Sequence, residues 1–371
     1  MMIEPEDEER AMLESIAEHV SERVRSCGAE AIIGGSFAKD TWLSGTRDLD
    51  IFARFDARSE AELNERTRDL CKAFPEAEIV RGSRDYLRFE TEGVTVEVVP
   101  IRPLSSDANT MDHSPDHITY VTSHLENTRD VRRLKALLHA HGIYGAEAHI
   151  RGFSGYVCEL LVIAYGSLES LAQEARSWKR GVRVSFNTHT PFDDVLIVED
   201  PTDDKRNAAA AVDEYSLGRF TALMERVASG NTFEELLTPE EHGPPYALVR
   251  MWASHEKRDV GFAQLRGVHE RLERELAPFG MKQASWRTAG DVWESRFTLE
   301  HEELDAITTR KGPPVAYETA VRSFRAHHPN AYEERGTLYA PVQRSETTWE
   351  QVVRRVCTHP VVERYEPQVI R

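Results

Sequence analysis

The sequence has few cysteines, no long apolar run and no excess of basic residues, and each shortage excludes a class of protein. The cysteines are Cys27, Cys71, Cys158 and Cys357. Because no two of them form a Cys-x-x-Cys pair, a zinc signature and a disulfide framework are excluded, and we expect a reducing, cytoplasmic compartment. No stretch approaches the roughly 20 apolar residues of a membrane helix. The acidic start predicts no secretory signal, so the sequence indicates no membrane partner.

Acidic residues dominate the charge, and they are concentrated near the start. The 371 residues include 46 Lys and Arg against 63 Asp and Glu, which gives a net charge of −17. Residues 1–120 hold 14 basic and 26 acidic residues, whereas residues 129–190 hold 9 basic and 5 acidic ones. A broad electrostatic coating of nucleic acid is therefore excluded, because such binding needs excess Lys and Arg. A focused contact between nucleic acid and the locally basic middle of the chain is not excluded.

The apolar patterns predict an α+β fold with two or three domains. Helical spacing predicts helices at 8–26, 37–42, 59–73, 128–141, 154–175, 206–229, 260–277, 315–327 and 347–357. Alternation and short apolar runs predict strands at 31–33, 48–55, 86–90, 94–101, 246–252, 295–299 and 336–342. The front is mixed, the middle helical and the end mixed again.

Three carboxylates stand out on two of the predicted strands. Side chains two apart on a strand share a face, so Asp48 and Asp50 project together. Glu97 alternates with apolar residues on a later strand, at 94–101. A lone Asp-x-Asp is more often a solvent-facing strand edge. If the two strands pair, however, the carboxylates meet above one sheet face and can hold two hard cations through oxygen ligands.

A tight turn precedes the Asp-x-Asp strand. Gly34, Gly35 and Ser36 close one strand and open a helix, where free backbone N–H groups favour a phosphate. Alone, this turn is ordinary; with the three carboxylates it resembles the signature of the polymerase-beta-like nucleotidyltransferases. In that chemistry a 3′-hydroxyl attacks an α-phosphate, one metal activates the hydroxyl and the other binds the triphosphate.

Longer segments resemble the archaeal-type (class I) CCA-adding enzymes, which are tRNA nucleotidyltransferases. The segments are GGSFAKDTWL at 34–43, DLDIF at 48–52, IYGAE at 143–147, RGFSGYVCELL at 151–161 and DPTDDKRN at 200–207, with fainter matches GPPV at 312–315 and GTLYA at 336–340. The resemblance is ordered and covers most of the chain. It implies template-independent addition of C, C and A, from CTP and ATP, to the 3′ end of tRNA.

The resemblance also implies an architecture and a set of site residues. It implies a polymerase-beta-like nucleotidyltransferase head at 1–125, a helical central nucleotide- and RNA-binding domain at 126–245 and a C-terminal α+β RNA-binding domain at 246–371. It implies two Mg²⁺ ions as cofactors, nucleoside triphosphates and RNA as partners, and a homodimer. The catalytic and metal-binding positions are Asp48, Asp50 and Glu97. The nucleotide-binding positions are Gly35, Ser36, Lys39, His117, Lys135, Tyr144 and Arg206, of which Arg206 is implicated in base selection.

Other interpretations stay open for the chain and for single residues. Taken alone, Lys135 is typical of a surface lysine on an amphipathic helix, and His117 is typical of a loop histidine. Tyr144 could equally be a packing aromatic, and Arg206 an ordinary residue at the start of a helix. The family ordinarily has Asp where this chain has Glu97, and one added methylene moves the carboxylate. Two alternative functions follow: another RNA-tailing, RNA-repair or signal-nucleotide nucleotidyltransferase, or an inactive RNA-binding scaffold.

Overall fold

A computed structural model describes residues 3–81, 84–104, 110–186, 190–238, 247–253 and 257–370. The chain forms two compact units, an N-terminal unit, Met1–Pro239, and a C-terminal unit, Glu240–Arg371. The domain boundary predicted between residues 245 and 246 lies outside the described residues.

The first half of the N-terminal unit is a five-stranded sheet with helices packed on it. Its elements are α1 (Asp7–Ser26), β1 (Glu30–Ile33), α2 (Gly35–Ala38), β2 (Asp48–Arg54), α3 (Glu60–Ala73), β3 (Glu78–Val80), β4 (Tyr86–Thr91) and β5 (Val94–Ile101). The strand order is β1-β2-β5-β4-β3. Strands β2 and β5 are parallel, and the other pairs are antiparallel. Ile16, Val20 and Val24, which recur every four residues on α1, are buried in this core, and Met12, the first residue of that predicted stripe, packs against it partly buried.

The second half of the N-terminal unit is mostly helical and has its own core. Its elements are a 3₁₀ turn (Thr110–His113), α4 (Ser114–His124), α5 (Thr128–Ala140), α6 (Gly155–Tyr165), α7 (Leu168–Ala175), β6 (Val182–Val184), β7 (Leu196–Asp200), β8 (Asp203–Asn207), α8 (Glu214–Ala228) and α9 (Phe233–Leu236). Strands β6, β7 and β8 form a small sheet in that order. The apolar sides of α5, α6, α7 and α8 meet in one buried cluster. The predicted helical middle of the chain therefore also contains a short sheet.

Three of the predicted helices differ from the structure. The helix predicted over 154–175 is two helices, because Gly166 ends α6 with φ +79° and the Ser167 side chain caps α7. The helix predicted from 206 begins at Glu214, and residues 203–207 form β8 instead. The helix predicted at 37–42 is the four-residue α2, which ends at Ala38.

The C-terminal unit contains two sheets and a separate core. Its elements are β9 (Ala247–Trp252), α10 (Arg258–Leu276), a 3₁₀ turn (Ala277–Phe279), β10 (Met281–Ala289), β11 (Val292–Leu299), β12 (Ile307–Pro314), α11 (Glu318–His327), β13 (Tyr332–Glu334), β14 (Thr337–Gln343), α12 (Trp349–Cys357), α13 (Pro360–Glu363) and β15 (Gln368–Ile370). The sheet orders are β10-β11-β9-β15 and β12-β14-β13. Trp293 and Phe297 of β11 pack in this core with Phe262 of α10 and the buried residues of α12. Residue 246, which the sequence predicts as a strand start, lies outside the described residues.

Among the described residues, no single helix combines the length and apolar composition needed to cross a bilayer. The pair α6 and α7, bent by 91°, meets those two criteria only when its helices are taken together.

Candidate active site

The three predicted carboxylates lie on the two parallel strands at the centre of the first sheet. In the register of β2 and β5, Asp50 stands opposite Glu97 and Asp48 opposite Thr95. Leu49 and Ile51 are fully buried on the other face. Because residues in register on parallel strands share a face, the strand alternation places all three carboxylates on the side away from the α1 core.

The glycine turn brings backbone directly against this face. The N–H of Gly34 donates to the carbonyl oxygen of Asp50 at 2.8 Å. Gly35 has φ +60°, and a Cβ built on it would lie 1.8 Å from Asp50 Oδ2. Only glycine therefore fits at position 35, both for its backbone conformation and for the approach to Asp50.

The carboxylate face concentrates negative charge. Burial, then the neighbouring carboxylates of Glu97 and Asp48, raise the pKa of Asp50 to about 6. A divalent cation would relieve that repulsion, and carboxylate oxygens are the ligands that hard cations prefer. The donor set therefore fits a divalent metal.

Arg88 on β4 binds the third carboxylate. Glu97 Oε1 accepts hydrogen bonds from Arg88 Nε at 2.9 Å and from Arg88 Nη2 at 2.7 Å. The two residues are register partners on β4 and β5. Within the described ranges, no three His, Cys, Asp or Glu side chains form a ready metal-binding group. Metal binding by Asp48, Asp50 and Glu97 thus stays a prediction. A metal ion at Glu97 would have to displace Arg88 or share the carboxylate with it.

A cationic wall faces the carboxylates across a cavity of about 660 Å³. Lys39 follows the glycine turn, and Lys135 lies on α5. Both ammonium groups bind Glu159 of α6, at 2.5 Å from Lys39 and 3.1 Å from Lys135. Burial alone would raise the pKa of Glu159, but the two lysines bring it below its usual range. The cavity is lined by Gly35, Ser36, Lys39, Asp48, Asp50, Glu97, Lys135 and Tyr144 among the predicted residues, and by Tyr156 and Glu159 in addition.

The other two predicted residues, His117 and Arg206, meet at a buried carboxylate. Asp200 Oδ2 accepts from Arg206 Nη1 at 2.6 Å and lies 3.1 Å from His117 Nε2. Tyr156 Oη donates to Asp200 Oδ1 at 3.0 Å. Burial raises the pKa of Asp200, but the hydrogen bonds from His117, Thr202 and Arg206 outweigh it and leave that pKa well below its usual range.

Tyr156 connects the two groups of predicted residues. Its ring lies 4.3 Å from the His117 ring, and the Lys39 and Arg206 cations lie 5.6 and 5.8 Å from its centroid. Burial raises the pKa of Tyr156 far above its usual value, so its hydroxyl stays a donor. Tyr144, the remaining predicted aromatic, packs against His139 with ring centroids 4.1 Å apart.

Sequence reasoning missed four polar residues of this region: Arg88, Tyr156, Glu159 and Asp200. Glu159 carried a signal, since a carboxylate within the apolar helix 155–165 needs a buried partner. Asp200 ends a strand that is buried along its whole length, which is a similar signal. Arg88 could not be found in this way, because its partner depends on the strand register.

Two protein families match parts of the N-terminal unit. The nucleotidyltransferase domain matches residues 13–112, and the family described as tRNA nucleotidyltransferase, second domain, matches residues 129–234. The first match contains the carboxylate face, and the second contains Lys135, Glu159, Asp200 and Arg206.

Similar proteins with curated names are CCA-adding enzymes of archaea. That of Sulfolobus acidocaldarius is 30% identical over 95% of this chain and 88% of its own length. That of Archaeoglobus fulgidus is 31% identical over 95% and 86%, and that of Sulfurisphaera tokodaii is 33% identical over 95% and 89%. Among solved structures, the Cid1 poly(U) polymerase bound to MgATP has a TM-score of 0.50 at 13% identity, over 64% of this chain and 95% of that one. At that identity the likeness concerns the fold alone.

Proposed function

Because this chain belongs to the family of the archaeal CCA-adding enzymes, we propose that it adds C, C and A from CTP and ATP to the 3′ end of tRNA without a nucleic-acid template. The observation that carries the proposal is the register of β2 and β5. It sets Asp50 opposite Glu97, next to a glycine turn and across a cavity from two lysines.

The carboxylates form the catalytic half of the proposed site. Asp48, Asp50 and Glu97 would hold two Mg²⁺ ions through their oxygens. When bound, the ions would lower the pKa of the 3′-hydroxyl and neutralise the triphosphate and the leaving pyrophosphate. The close backbone of Gly35 would fix the Asp50 carboxylate during this transfer.

The remaining residues form the nucleotide-binding half. Ser36 and Lys39 would bind the triphosphate, with a charge-assisted hydrogen bond from the ammonium group. Tyr144 and His117 would contact the sugar and phosphates of the incoming nucleotide. Arg206, held by Asp200, would contribute to the choice of base. Lys135 lines the same cavity as Lys39 and would add to the positive charge near the phosphates.

The direct test is incorporation of labelled nucleotides in the presence of Mg²⁺ and tRNA that lacks its CCA end. We expect ordered addition of two C residues and one A. Tailing of unrelated RNA, or oligonucleotide synthesis without RNA, would instead indicate another nucleotidyltransferase. Absence of incorporation would favour the inactive scaffold.

Substitution of the carboxylates tests the site itself. We expect Asp48→Ala and Asp50→Ala each to abolish incorporation while the circular dichroism spectrum stays unchanged. Asp56→Ala is the matched control, since Asp56 is an exposed aspartate just beyond β2. Near-normal activity of either site variant would contradict the assignment.

Three further expectations belong to this proposal. They are the domain bounds at residues 125 and 245, the homodimer and the cytoplasmic location. Sedimentation of the purified protein tests the homodimer, because a dimer doubles the 42.2 kDa mass of the chain.

A further inference from the structure

Glu159 is a fully buried carboxylate that touches both cationic residues of the cavity. It lies on α6, where its neighbours along the chain are apolar. Its side chain is 1% exposed, and its partners are Lys39, Lys135 and the hydroxyl of Thr41. Isolated burial of a carboxylate is costly, so these partners are what make the position possible.

The two lysines are bound to Glu159 in different ways. Lys135 Nζ donates to the Thr41 carbonyl oxygen at 3.0 Å, to Thr41 Oγ1 at 2.9 Å and to Glu159 Oε1 at 3.1 Å. An ammonium group has three N–H donors, so these three acceptors use all of them. The side chain of Lys135 is also only 2% exposed.

Lys39 keeps capacity for a ligand. Among the described residues, its ammonium group donates to Glu159 Oε2 at 2.5 Å, and its side chain is 10% exposed at the cavity. One N–H is thus used by Glu159, and two remain for other acceptors. Thr41 Oγ1 donates to the opposite oxygen, Glu159 Oε1, at 2.6 Å, and so fixes the plane of the carboxylate.

We propose that Glu159 is a positioning residue for triphosphate binding: it holds the Lys39 ammonium group at the cavity wall, and Lys135 is the buried counter-charge that makes this possible. The inference rests on the proposed function, since it assigns the triphosphate to this cavity. The cluster of two lysines and one glutamate has a net charge of +1. That charge is presented by Lys39, and its position is set before a nucleotide arrives.

An isosteric substitution that removes the charge of Glu159 separates positioning from simple electrostatics, because the two predict opposite changes in ATP binding. Glu159→Gln removes a negative charge near the phosphates, so charge alone predicts tighter binding of ATP. Positioning predicts the opposite, because the amide cannot hold both ammonium groups and Lys39 is released from the wall. The loss should concern the triphosphate and not the base or sugar.

The experiment compares equilibrium binding of ATP and AMP to the full chain by calorimetry. We expect Glu159→Gln to weaken ATP binding about tenfold and to change AMP binding less than twofold. Lys39→Ala should show the same pattern, and the double variant should be no weaker than Lys39→Ala, because both changes remove one interaction. Glu174→Gln, on an exposed glutamate of α7, is the matched control and should bind both ligands as the wild type does.

A second variant keeps the test valid if Glu159→Gln does not fold. Thr41→Val retains every charge and removes the hydroxyl that orients Glu159, so we expect a loss of about threefold for ATP and none for AMP. ATP binding equal to or tighter than wild type in these variants, or equal losses of ATP and AMP, would overturn the inference alone. A wild-type protein that does not bind ATP would instead overturn the proposed function and the inference with it.

Discussion

At the scale of single residues, the contact between Arg88 and Glu97 bears directly on metal binding. Arg88 occupies one oxygen of the third carboxylate and brings a positive charge next to it. A cation that needs Glu97 must therefore compete with a guanidinium group, and its attraction to the site is reduced by that charge. The arginine also defines a rotamer for the longer glutamate side chain.

We expect Arg88→Ala to lower the Mg²⁺ concentration that gives half-maximal nucleotide incorporation by about threefold, since a partly exposed ion pair near the surface is worth about 1 kcal/mol or less. Binding of Mn²⁺, followed by electron paramagnetic resonance, should tighten in parallel. Arg54→Ala is the matched control, because Arg54 pairs with Glu30 elsewhere on the same sheet. A higher Mg²⁺ requirement in Arg88→Ala would show instead that the arginine positions Glu97 for the cation.

The raised pKa of Asp50 makes the stability of the folded chain depend on pH. Its pKa of about 6 in the folded chain exceeds the value of about 3.9 expected in the unfolded chain. The folded state therefore binds this proton more tightly, and stability falls as the pH rises from about 4 through 6. At pH 7.5 without divalent cations, ionised Asp50 costs on the order of 3 kcal/mol.

Asp50→Asn removes that cost because the amide is neutral at every pH. We expect a higher melting temperature than wild type at pH 7.5 in EDTA, a clearly smaller difference at pH 4.5, and no nucleotide incorporation. Mg²⁺ should raise the melting temperature of the wild type and not that of the variant. A stability difference that is the same at both pH values would contradict the assigned pKa.

At the scale of elements, long periodic patterns predicted well and short or broken ones did not. The helices α1, α3 and α5 and the strands β2 and β5 follow from apolar spacing. The break at Gly166 was missed because the apolar pattern continues across it. Strand β7 was missed because a short run buried on every side has no period, and this placed Arg206 on a helix instead of on β8.

The same difference between local and non-local features separates the site residues that the sequence predicts from those that it does not. The glycine turn and the Asp-x-Asp spacing are local, so the sequence could predict them. Contacts made by register or by packing of distant segments are not local, and Arg88 with Glu97 and Lys39 with Glu159 are examples. The sequence therefore predicted the residues that bear the chemistry better than the residues that position them.

The turn between β1 and α2 allows a direct test of how an element positions the carboxylate. Gly35→Ala would place a Cβ on Asp50 Oδ2 and require a left-handed backbone of alanine. We expect at least a 100-fold loss of nucleotide incorporation, for a stability cost of about 1–2 kcal/mol in chemical denaturation. The activity loss should exceed what the stability loss explains.

Gly45 provides the matched control for that substitution. It has φ +80°, and a Cβ there would meet no atom within 4 Å. Gly45→Ala should therefore show a similar backbone cost and retain activity. Equal loss of activity in both variants would mean that backbone strain, and not displacement of Asp50, inactivates the enzyme.

At the scale of the whole molecule, the charge distribution limits how RNA can bind. The locally basic stretch 129–190 contains many residues that already have acidic partners. Its ion pairs include Arg132 with Asp40, Arg133 with Glu169, Lys135 with Glu159, Arg180 with Glu214 and Arg183 with Glu199. With a net charge of −17, we expect RNA binding to be weak and sensitive to salt, with specificity from shape and the 3′ end.

The stability of the C-terminal unit should depend on one buried histidine. His269 of α10 is 2% exposed, its Nδ1 lies 3.1 Å from Ser295 Oγ, and its ring stacks on Phe297 at 5.1 Å. Burial, with a contribution from the charge of Arg266, lowers the pKa of His269 to about 3. The folded unit therefore excludes a proton that the unfolded chain binds below about pH 6.5.

Because the folded-state pKa is depressed, stability is complete above pH 6.5 and falls as the pH drops toward 3, by at most about 1.4 kcal/mol per pH unit. The C-terminal unit carries Trp252, Trp286, Trp293 and Trp349, so its unfolding in urea can be followed by tryptophan fluorescence. We expect the urea midpoint of this unit to be lower at pH 5 than at pH 7. His269→Phe retains a ring against Phe297 and should reduce this pH dependence, whereas His301→Gln, at an exposed position, should not. Phenylalanine has no titrating proton, so His269→Phe removes the contribution of this residue to the pH dependence. An unchanged pH dependence in the variant would therefore mean that other groups cause the acid sensitivity.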